Sequence, residues 1–240
     1  MSTEIHSENL KNKVLMLLPS RGRSKKIEEC IDAWRKTSKQ SDLLVLLDDD
    51  DPELDEYIRY ADVLYDVGAR IKMCPTVNRA VQDHPEYKYY GFIGDDHIFR
   101  TDGWDEKMIK VIEDRGAGWG IVYGDDKLQG ARLATHCVMS GNILNSLGYM
   151  AIPGLIHLYM DDFWMHIGAN IDKLFYEPNI IIEHMHYSNG KSEQDAQYAE
   201  VNSSMVNMND KMVFDYWKRN DMVTDVYKLR EAINASKTTS

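Results

Sequence analysis

Two runs of apolar residues constrain the fold of this chain more than any other feature. Residues 14–18 read VLMLL and residues 43–47 read LLVLL, with no polar side chain in either run. An uninterrupted apolar run of this length is typical of a central parallel strand that is buried on both faces. Residues 27–34 lie between the two runs and carry apolar side chains at helical spacing. The order strand, helix, strand therefore predicts an α/β fold with a mostly parallel sheet flanked by helices.

The rest of the chain continues the same alternation. Further strands are predicted near residues 63–65, 70–73, 89–97, 121–123, 136–141 and 176–186. Helices are predicted at residues 53–60, from 75 onward, at 105–114, at 142–147 and from about 161. We predict one domain over residues 13–190, with a flexible N-terminus at 1–12 and a C-terminal helical extension or tail at 191–240.

The charge balance limits the partners of the protein. Its 240 residues carry 28 basic and 39 acidic side chains, which gives a formal net charge of −11. This balance disfavours broad, nonspecific binding to nucleic acid, which requires a basic face. A local basic channel stays open, since Arg21, Arg23, Lys25 and Lys26 lie close together. An acidic protein that holds a polyanionic substrate usually needs a divalent metal ion.

The sequence also indicates a compartment. No apolar run approaches the length that spans a bilayer, and residues 1–13 are too polar for a signal peptide. Cys30, Cys74 and Cys137 are odd in number and far apart, which is typical of buried thiols in a reducing compartment. We therefore expect a cytoplasmic protein without a membrane partner.

Carboxylates and imidazoles collect at the ends of predicted strands. These ends carry Asp48 with Asp49, Asp95 with Asp96 and His97, Asp125 with Asp126, and His184 with His186. Open α/β sheets bind ligands at the carboxyl ends of their strands, and adjacent carboxylates repel unless a cation, a proton or hydrogen-bond donors offset their charge. The stretch that ends in Asp95, Asp96 and His97 is therefore the main candidate for a metal site, with a plain acidic turn as the alternative.

The turn after the first predicted strand excludes two common nucleotide-binding motifs. Residues 19–23 read PSRGR, which is neither a P-loop nor part of a GxGxxG dinucleotide motif. A nucleotide bound at this turn would have to be held by arginines, acidic residues and a metal ion.

Together these features resemble the GT-A glycosyltransferases, which are nucleotide-sugar-dependent enzymes with a single Rossmann-like domain. The family's first strand leads into a turn that meets the nucleotide, and its second strand ends in an acid that contacts the base or ribose. By this resemblance, the nucleotide-sugar-binding residues are Pro19, Ser20, Arg21, Arg23, Asp48, Asp49, Arg79 and Asp95. The arginines among them would bind phosphate with two parallel N–H donors each.

The hallmark of the family is Asp-x-Asp after a hydrophobic strand, which binds Mn²⁺ or Mg²⁺ together with the diphosphate. The matching residues here are Gly94-Asp95-Asp96, so glycine replaces the first acid. The resemblance assigns Asp96 as the metal ligand, assisted by one of the two residues beside it. The family often takes a further ligand from a late histidine, which His186 matches and for which His184 competes.

The family also implies a catalytic base and acceptor contacts. Inverting members use an aspartate of an acidic pair at a helix start, which matches Asp162, with Asp161 as the alternative. Either residue could instead cap the helix. Gly141 lies in a segment that resembles the acceptor side of those enzymes. Trp104 and Trp164 are candidates for an apolar wall against a sugar face, although the helical spacing around Trp164 also fits a core residue.

The predicted function is a metal-dependent glycosyltransferase that moves a sugar from a nucleoside-diphosphate sugar, with UDP favoured, to an acceptor hydroxyl. Residues 92–97 with Gly103 and Trp104 resemble small soluble phage enzymes of this family. This narrower resemblance implies a hydroxymethylated DNA base as one acceptor and the host cytoplasm as the location, while a glycan or a small molecule stays open. Inversion and retention also stay open.

Two alternative functions compete with this prediction. A sugar-nucleotide nucleotidyltransferase shares the sheet and the metal, but it normally carries a glycine-rich segment with a lysine after the first strand, which residues 19–23 lack. A non-catalytic protein that binds a nucleotide sugar or a metal is suggested by the altered Asp-x-Asp. A metal-dependent nuclease also uses clustered carboxylates, but the order of elements fits it poorly.

Overall fold

The computed structural model of the protein describes residues 12–187, 190–192 and 196–238. The predicted flexible N-terminus, apart from Asn12, lies outside the described residues. The strands are β1 (Val14–Pro19), β2 (Ser41–Asp48), β3 (Leu64–Gly68), β4 (Tyr89–Phe92), β5 (His97–Phe99), β6 (Ile121–Asp125), β7 (Cys137–Ser140) and β8 (Leu174–His184). The helices are α1 (Ser24–Thr37), α2 (Leu54–Tyr57), α3 (Met73–Asp83), α4 (Trp104–Asp114), α5 (Gly141–Leu147), α6 (Met160–Asn170), α7 (Ala196–Val201), α8 (Ser204–Asn220) and α9 (Met222–Thr238).

All of these strands belong to one sheet, in the order β3-β2-β1-β4-β7-β6-β8-β5. The strands β3, β2, β1 and β4 are parallel neighbours. The strand β7 is antiparallel to both β4 and β6, and β8 pairs with β6 in parallel and with β5 in antiparallel. The prediction of a single α/β domain with a mostly parallel sheet flanked by helices is confirmed.

The apolar run in β1 supplies both cores of the domain. Leu15 and Leu17 belong to the core that α3 and α6 cover, whereas Met16 and Leu18 belong to the core that α1 covers. Successive side chains of a strand point to opposite faces, so a strand between two helical layers buries every residue. This arrangement explains why residues 14–18 contain no polar side chain.

The predicted strand at 70–73 is wrong. Residues 69–72 have no regular secondary structure, and α3 already begins at Met73. Lys72 has a φ of +76°, which is incompatible with a strand and directs the chain into the helix. The segment nevertheless matters for function, because it carries Arg70 and Lys72 to the site described below.

The predicted strand at 89–97 divides into two strands. The first, β4, ends at Phe92, and β5 begins at His97 and pairs with a different partner, β8. The turn between them contains Gly94, Asp95 and Asp96, and the backbone N–H of His97 donates to the carbonyl of Gly94. The two carboxylates thus lie in a turn beyond the carboxyl end of β4.

The last two helices pack onto the domain. Phe214 and Trp217 of α8 and Leu229 and Ile233 of α9 are buried in the same core as Leu15. The predicted helical character of residues 191–240 therefore fits α7, α8 and α9, while the division into a domain and an extension at residue 190 stays a prediction. No helix in the described part of the chain combines the length and apolarity that crossing a bilayer requires.

Candidate active site

A cavity of about 350 Å³ opens where β1, β2 and β4 end. This volume is in the range of pockets that hold small molecules. The predicted site residues that line the cavity are Pro19, Ser20, Arg21, Arg23, Asp48, Asp95, Asp96, Asp161, Trp164 and His186. Most of the residues assigned from the sequence are therefore brought together in one place.

A compact group of three side chains lies in this cavity, formed by Asp96, His97 and His184. Their ligand atoms all lie within 4.8 Å of one another. The Oδ1 atom of Asp96 is 3.0 Å from Nδ1 of His97, and its Oδ2 atom is 3.2 Å from Nε2 of His184. The two imidazole rings are stacked, with centroids 4.0 Å apart. We call this group the Asp-His cluster.

The protonation states within the Asp-His cluster suit a metal ion. Burial, together with the neighbouring ring of His184, lowers the pKa of His97, so its ring is neutral at neutral pH. Burial raises the pKa of Asp96, but hydrogen bonds from His184 and His97 outweigh burial and hold that pKa well below its ordinary value. A carboxylate beside a neutral imidazole is the donor set that binds divalent transition metals. The residues present therefore fit a divalent ion.

The predicted ligand His186 lies beside the Asp-His cluster and is not one of its members. Its ring centroid is 5.0 Å from that of His184 and 5.1 Å from that of Tyr198. Both His184 and His186 line the cavity, whereas Glu183, which precedes His184, binds Arg100 on the outside. The structure thus favours His184 as the late histidine of the site.

Gly94 stands where the family motif has its first acid, and the structure gives a physical reason for glycine. A Cβ atom at this position would lie 2.8 Å from Oδ1 of Asp96 and 3.1 Å from Nδ1 of His97. A contact of 2.8 Å is shorter than Cβ atoms make, so a side chain at 94 would displace the carboxylate of Asp96 and press on the ring of His97. The glycine is therefore needed for the position of the carboxylate that follows it.

Asp95 has a different environment from Asp96. Its Oδ1 atom accepts from Nη1 of Arg23 at 2.8 Å, and its Oδ2 atom accepts from the hydroxyl of Ser20 at 2.6 Å. The Ser20 hydroxyl also lies 3.1 Å from that of Tyr57. Burial raises the pKa of Asp95, and Arg23 opposes this shift. Asp95 therefore fixes the turn after β1 against the turn after β4.

The remaining predicted nucleotide contacts fall into two groups. Asp48 lies in the cavity and accepts from Nη1 of Arg21 at 3.1 Å. Asp49 is exposed and does not line the cavity, and Arg79 lies on α3, where it binds Asp66 at 3.0 Å instead of facing the cavity. The structure therefore places Asp48 and Arg21 at the site, and Asp49 and Arg79 outside it.

The two aspartates at the start of α6 have different positions relative to the cavity. Asp161 lines the cavity, whereas Asp162 lies outside its lining and near His166 and Lys218. Burial raises the pKa of Asp161 to about 6, and the charge of Asp162 adds to the shift. A carboxylate with a pKa near neutrality is well suited to accept a proton. The geometry therefore favours Asp161 over Asp162 as the candidate base.

The three predicted acceptor contacts have different surroundings. Trp164 is buried, packs against Phe92 with tilted rings whose centroids are 5.4 Å apart, and contributes to the lining of the cavity. Trp104 is fully buried in the core against Phe99, at a centroid distance of 4.7 Å. Gly141 begins α5 and is not part of the cavity lining. Only Trp164 of these three is brought to the cavity.

Several cavity residues were missed by sequence reasoning. They are Arg70, Lys72, Tyr198 and Glu200, together with a segment around His157. Tyr198 and Glu200 belong to α7, in a polar stretch without a motif. The one available signal was the pair of basic residues after β3, which a strand assignment at 70–73 concealed.

Comparisons with known proteins locate the chain among folds. No protein-family model and no curated protein matches the sequence. Among solved structures, the chain is similar to TarS of S. aureus, with a TM-score of 0.55 and 13% identity over 71% of this chain and 36% of TarS. It thus spans about a third of the length of that TarS chain.

Two further structures match most of both chains. The 1–349 fragment of S. aureus TarS has a TM-score of 0.50 and 10% identity, covering 95% of this chain and 92% of the fragment. A cytidylyltransferase from Leptospira borgpetersenii serovar Hardjo-bovis has a TM-score of 0.52 and 12% identity, covering 87% of this chain and 94% of the cytidylyltransferase. At such identities the likeness shows the fold, and it confirms the predicted Rossmann-like GT-A fold.

Proposed function

We propose that the protein is a metal-dependent glycosyltransferase that transfers a sugar from a nucleoside-diphosphate sugar to an acceptor hydroxyl. The observation that carries the proposal is the Asp-His cluster, which opens into the same cavity as Arg21, Arg23 and Asp161. A cationic turn, a carboxylate-imidazole metal site and a candidate base in one cavity are the parts that such a transfer requires. TarS, which is a glycosyltransferase, provides a precedent for this chemistry on this fold.

Each group of residues has a distinct task in the proposed reaction. Asp48 would contact the base or ribose of the donor, and Arg21 and Arg23 would face its phosphates. A divalent ion held by Asp96, His97 and His184 would neutralise the charge of the departing nucleoside diphosphate. Asp161 would accept the proton of the acceptor hydroxyl as the new glycosidic bond forms, in a reaction that inverts the sugar carbon.

The donor and acceptor are the finer parts of the proposal. We favour a UDP-sugar with Mn²⁺ or Mg²⁺, on the resemblance of the sequence to the family. The net charge of −11 favours an acceptor that makes a small contact area, such as a hydroxymethylated base, a glycan or a small molecule. A phage origin and action in the host cytoplasm would accompany the first of these acceptors.

The test is a panel of nucleotide sugars, incubated with the protein with and without Mn²⁺. We expect slow release of a nucleoside diphosphate from one donor, and loss of this release in Asp96→Ala. Asp125→Ala is the control, because Asp125 ends β6, pairs with Lys127 and lies outside the cavity lining. If no nucleotide sugar raises the melting temperature even with metal present, the proposal is wrong.

A second candidate function is a nucleotidyltransferase, because the Leptospira cytidylyltransferase matches 87% of this chain. The two reactions release different products. A nucleotidyltransferase would join a nucleoside triphosphate to a sugar phosphate and release pyrophosphate. A glycosyltransferase releases a nucleoside diphosphate from a nucleotide sugar. Ligand-induced stabilisation without either product would instead indicate a non-catalytic binding protein.

A further inference from the structure

A second charged group lies in the same cavity, formed by Arg70, Lys72 and Glu200. Arg70 and Lys72 precede α3, and Glu200 belongs to α7. The Oε1 atom of Glu200 lies 2.5 Å from Nη2 of Arg70 and 2.7 Å from Nζ of Lys72. Two cations therefore meet at a single carboxylate oxygen in the lining of the cavity, where the side chains of Lys72 and Glu200 are each 43% exposed.

Arg70 has a contact in the cavity other than Glu200. The Nε atom of Arg70 lies 3.5 Å from Oδ2 of Asp48, and the same oxygen accepts from Arg21 at 3.1 Å. Lys72 has a φ of +76°, a conformation that residues other than glycine rarely adopt. Because the contact with Asp48 does not involve Glu200, Arg70 would keep a partner in the cavity if Glu200 left it.

The helix that carries Glu200 makes a further contact in the cavity. The hydroxyl of Tyr198 donates to Oδ2 of Asp96 at 2.5 Å, and the guanidinium of Arg23 lies 4.2 Å from the centre of the Tyr198 ring. Through Tyr198 and Glu200, α7 thus contacts the Asp-His cluster and the cation pair at once. The metal ion would bind at the Asp-His cluster, and the anionic donor would bind at the cation pair.

We propose that Arg70 and Lys72 form a binding site for the phosphate groups of the donor, and that Glu200 fills this site until the donor displaces it. The inference rests on the proposed function, since it names the phosphate contacts of the same cavity. A phosphate carries more charge and more acceptor oxygens than a carboxylate, so it can replace Glu200 at both cations. Displacement of Glu200 moves α7 away from the cavity and releases Asp96 from Tyr198.

The test uses inorganic pyrophosphate as the probe, titrated calorimetrically in metal-free buffer. We expect Glu200→Gln to bind pyrophosphate about tenfold more tightly than the wild type, because apparent affinity is proportional to the fraction of protein whose site is open. Adding Arg70→Gln to Glu200→Gln should remove this gain. Glu113→Gln is the matched control, since Glu113 also joins two side chains, Tyr89 and Lys88, but outside the cavity.

A second measurement follows α7 directly in the wild-type protein. Pyrophosphate should increase the rate of amide hydrogen exchange in residues 196–201, and Glu200→Gln should show the increased rate without pyrophosphate. Unchanged pyrophosphate affinity in Glu200→Gln would overturn the inference. So would slower exchange of α7 on adding pyrophosphate, because α7 would then close over the anion instead of leaving.

These results are separate from those that test the proposed function. Pyrophosphate has neither sugar nor base, and the buffer contains no metal ion. Pyrophosphate binding that depends on Glu200 would therefore support the anion site even if every nucleotide sugar failed. Donor turnover with no effect of Glu200→Gln on pyrophosphate would support the glycosyltransferase and reject this site.

Discussion

Asp95 and Asp96 are consecutive residues whose carboxylates bind partners of different kinds. Oδ1 of Asp95 lies 2.8 Å from Nη1 of Arg23, whereas Oδ2 of Asp96 lies 3.2 Å from Nε2 of His184. The first contact joins the turns after β1 and β4, and the second joins β8 to the candidate metal site. Substitution of the two residues should therefore have different consequences, in stability for Asp95 and in metal binding for Asp96.

Asp95→Ala should lower the free energy of unfolding by about 3 kcal/mol, because it removes the carboxylate of a buried ion pair. The side chains of this pair are only 9% and 6% exposed. Asp62→Ala is the control, since Asp62 pairs with Arg35 at the surface and should cost less than about 1 kcal/mol. Urea denaturation measures both, and equal costs would show that the Arg23–Asp95 pair is solvated in solution.

His184→Ala should weaken Mn²⁺ binding by about 100-fold, because His184 supplies a ligand atom of the Asp-His cluster. His186→Ala should weaken binding by less than about tenfold, since His186 only contacts the ring of His184. Titration of Mn²⁺ by electron paramagnetic resonance measures both variants. A larger loss of Mn²⁺ affinity in His186→Ala than in His184→Ala would show that His186 is the ligand, as the family resemblance implies.

The same site should prefer Mn²⁺ to Mg²⁺. Two of its three ligand groups are imidazoles, and Mg²⁺ favours oxygen ligands far more strongly than Mn²⁺ does. We therefore expect Mg²⁺ to displace bound Mn²⁺ only at a large excess in a competition titration. Displacement at equal concentrations would indicate that carboxylates and water, and not His97 and His184, hold the ion.

Gly94→Asp recreates the Asp-x-Asp sequence of the family, and we expect it to reduce function. The new Cβ would lie 2.8 Å from Oδ1 of Asp96, so the carboxylate must turn away from His97. Mn²⁺ affinity should fall about tenfold or more, while the melting temperature of the metal-free protein changes little, because only side-chain ends are displaced. Tighter Mn²⁺ binding in this variant would show that the motif, and not the cluster, defines the site.

The rate of transfer should fall as the pH drops below about 6. Burial raises the pKa of Asp161 to about 6, so below that pH its carboxyl group is protonated and cannot accept a proton. The fall should approach tenfold per pH unit and be measured in kcat, with donor binding followed separately. Asp161→Asn should bind the donor without transferring the sugar.

Asp162→Asn is the matched variant for that experiment. Asp162 lies on the same turn of α6 but outside the cavity lining, so its amide should retain most of the transfer rate. Loss of transfer in Asp162→Asn with normal transfer in Asp161→Asn would show that Asp162 is the base, as the family resemblance implies.

The sequence determined the sheet well because the signal is local. The run at 14–18 is apolar because both faces of β1 are covered, and this property can be read without knowing which helices cover it. The strand predicted at 70–73 failed for a local reason as well. The left-handed φ of Lys72 ends any extended segment, but lysine does not signal that conformation as glycine would.

Residues of the candidate site were predictable where a motif lies at the end of a strand. They were not predictable where tertiary packing brings distant segments together. Asp96 follows a strand, and its position was evident from the pattern. The choice between His184 and His186 depends on where β8 ends, which alternation alone cannot locate. Glu200 reaches the cavity from 128 positions beyond Lys72, and no spacing in the sequence indicates that contact.

The pairing of β5 with β8 has a consequence for the stability of the sheet. His97 and His184 are direct partners in this antiparallel ladder, and β5 is a three-residue strand at the end of the sheet order. An ion bound by both rings would link the two strands and hold β5 in register with β8. Removing it with a chelator should first loosen the edge formed by residues 97–99, before the rest of the sheet responds.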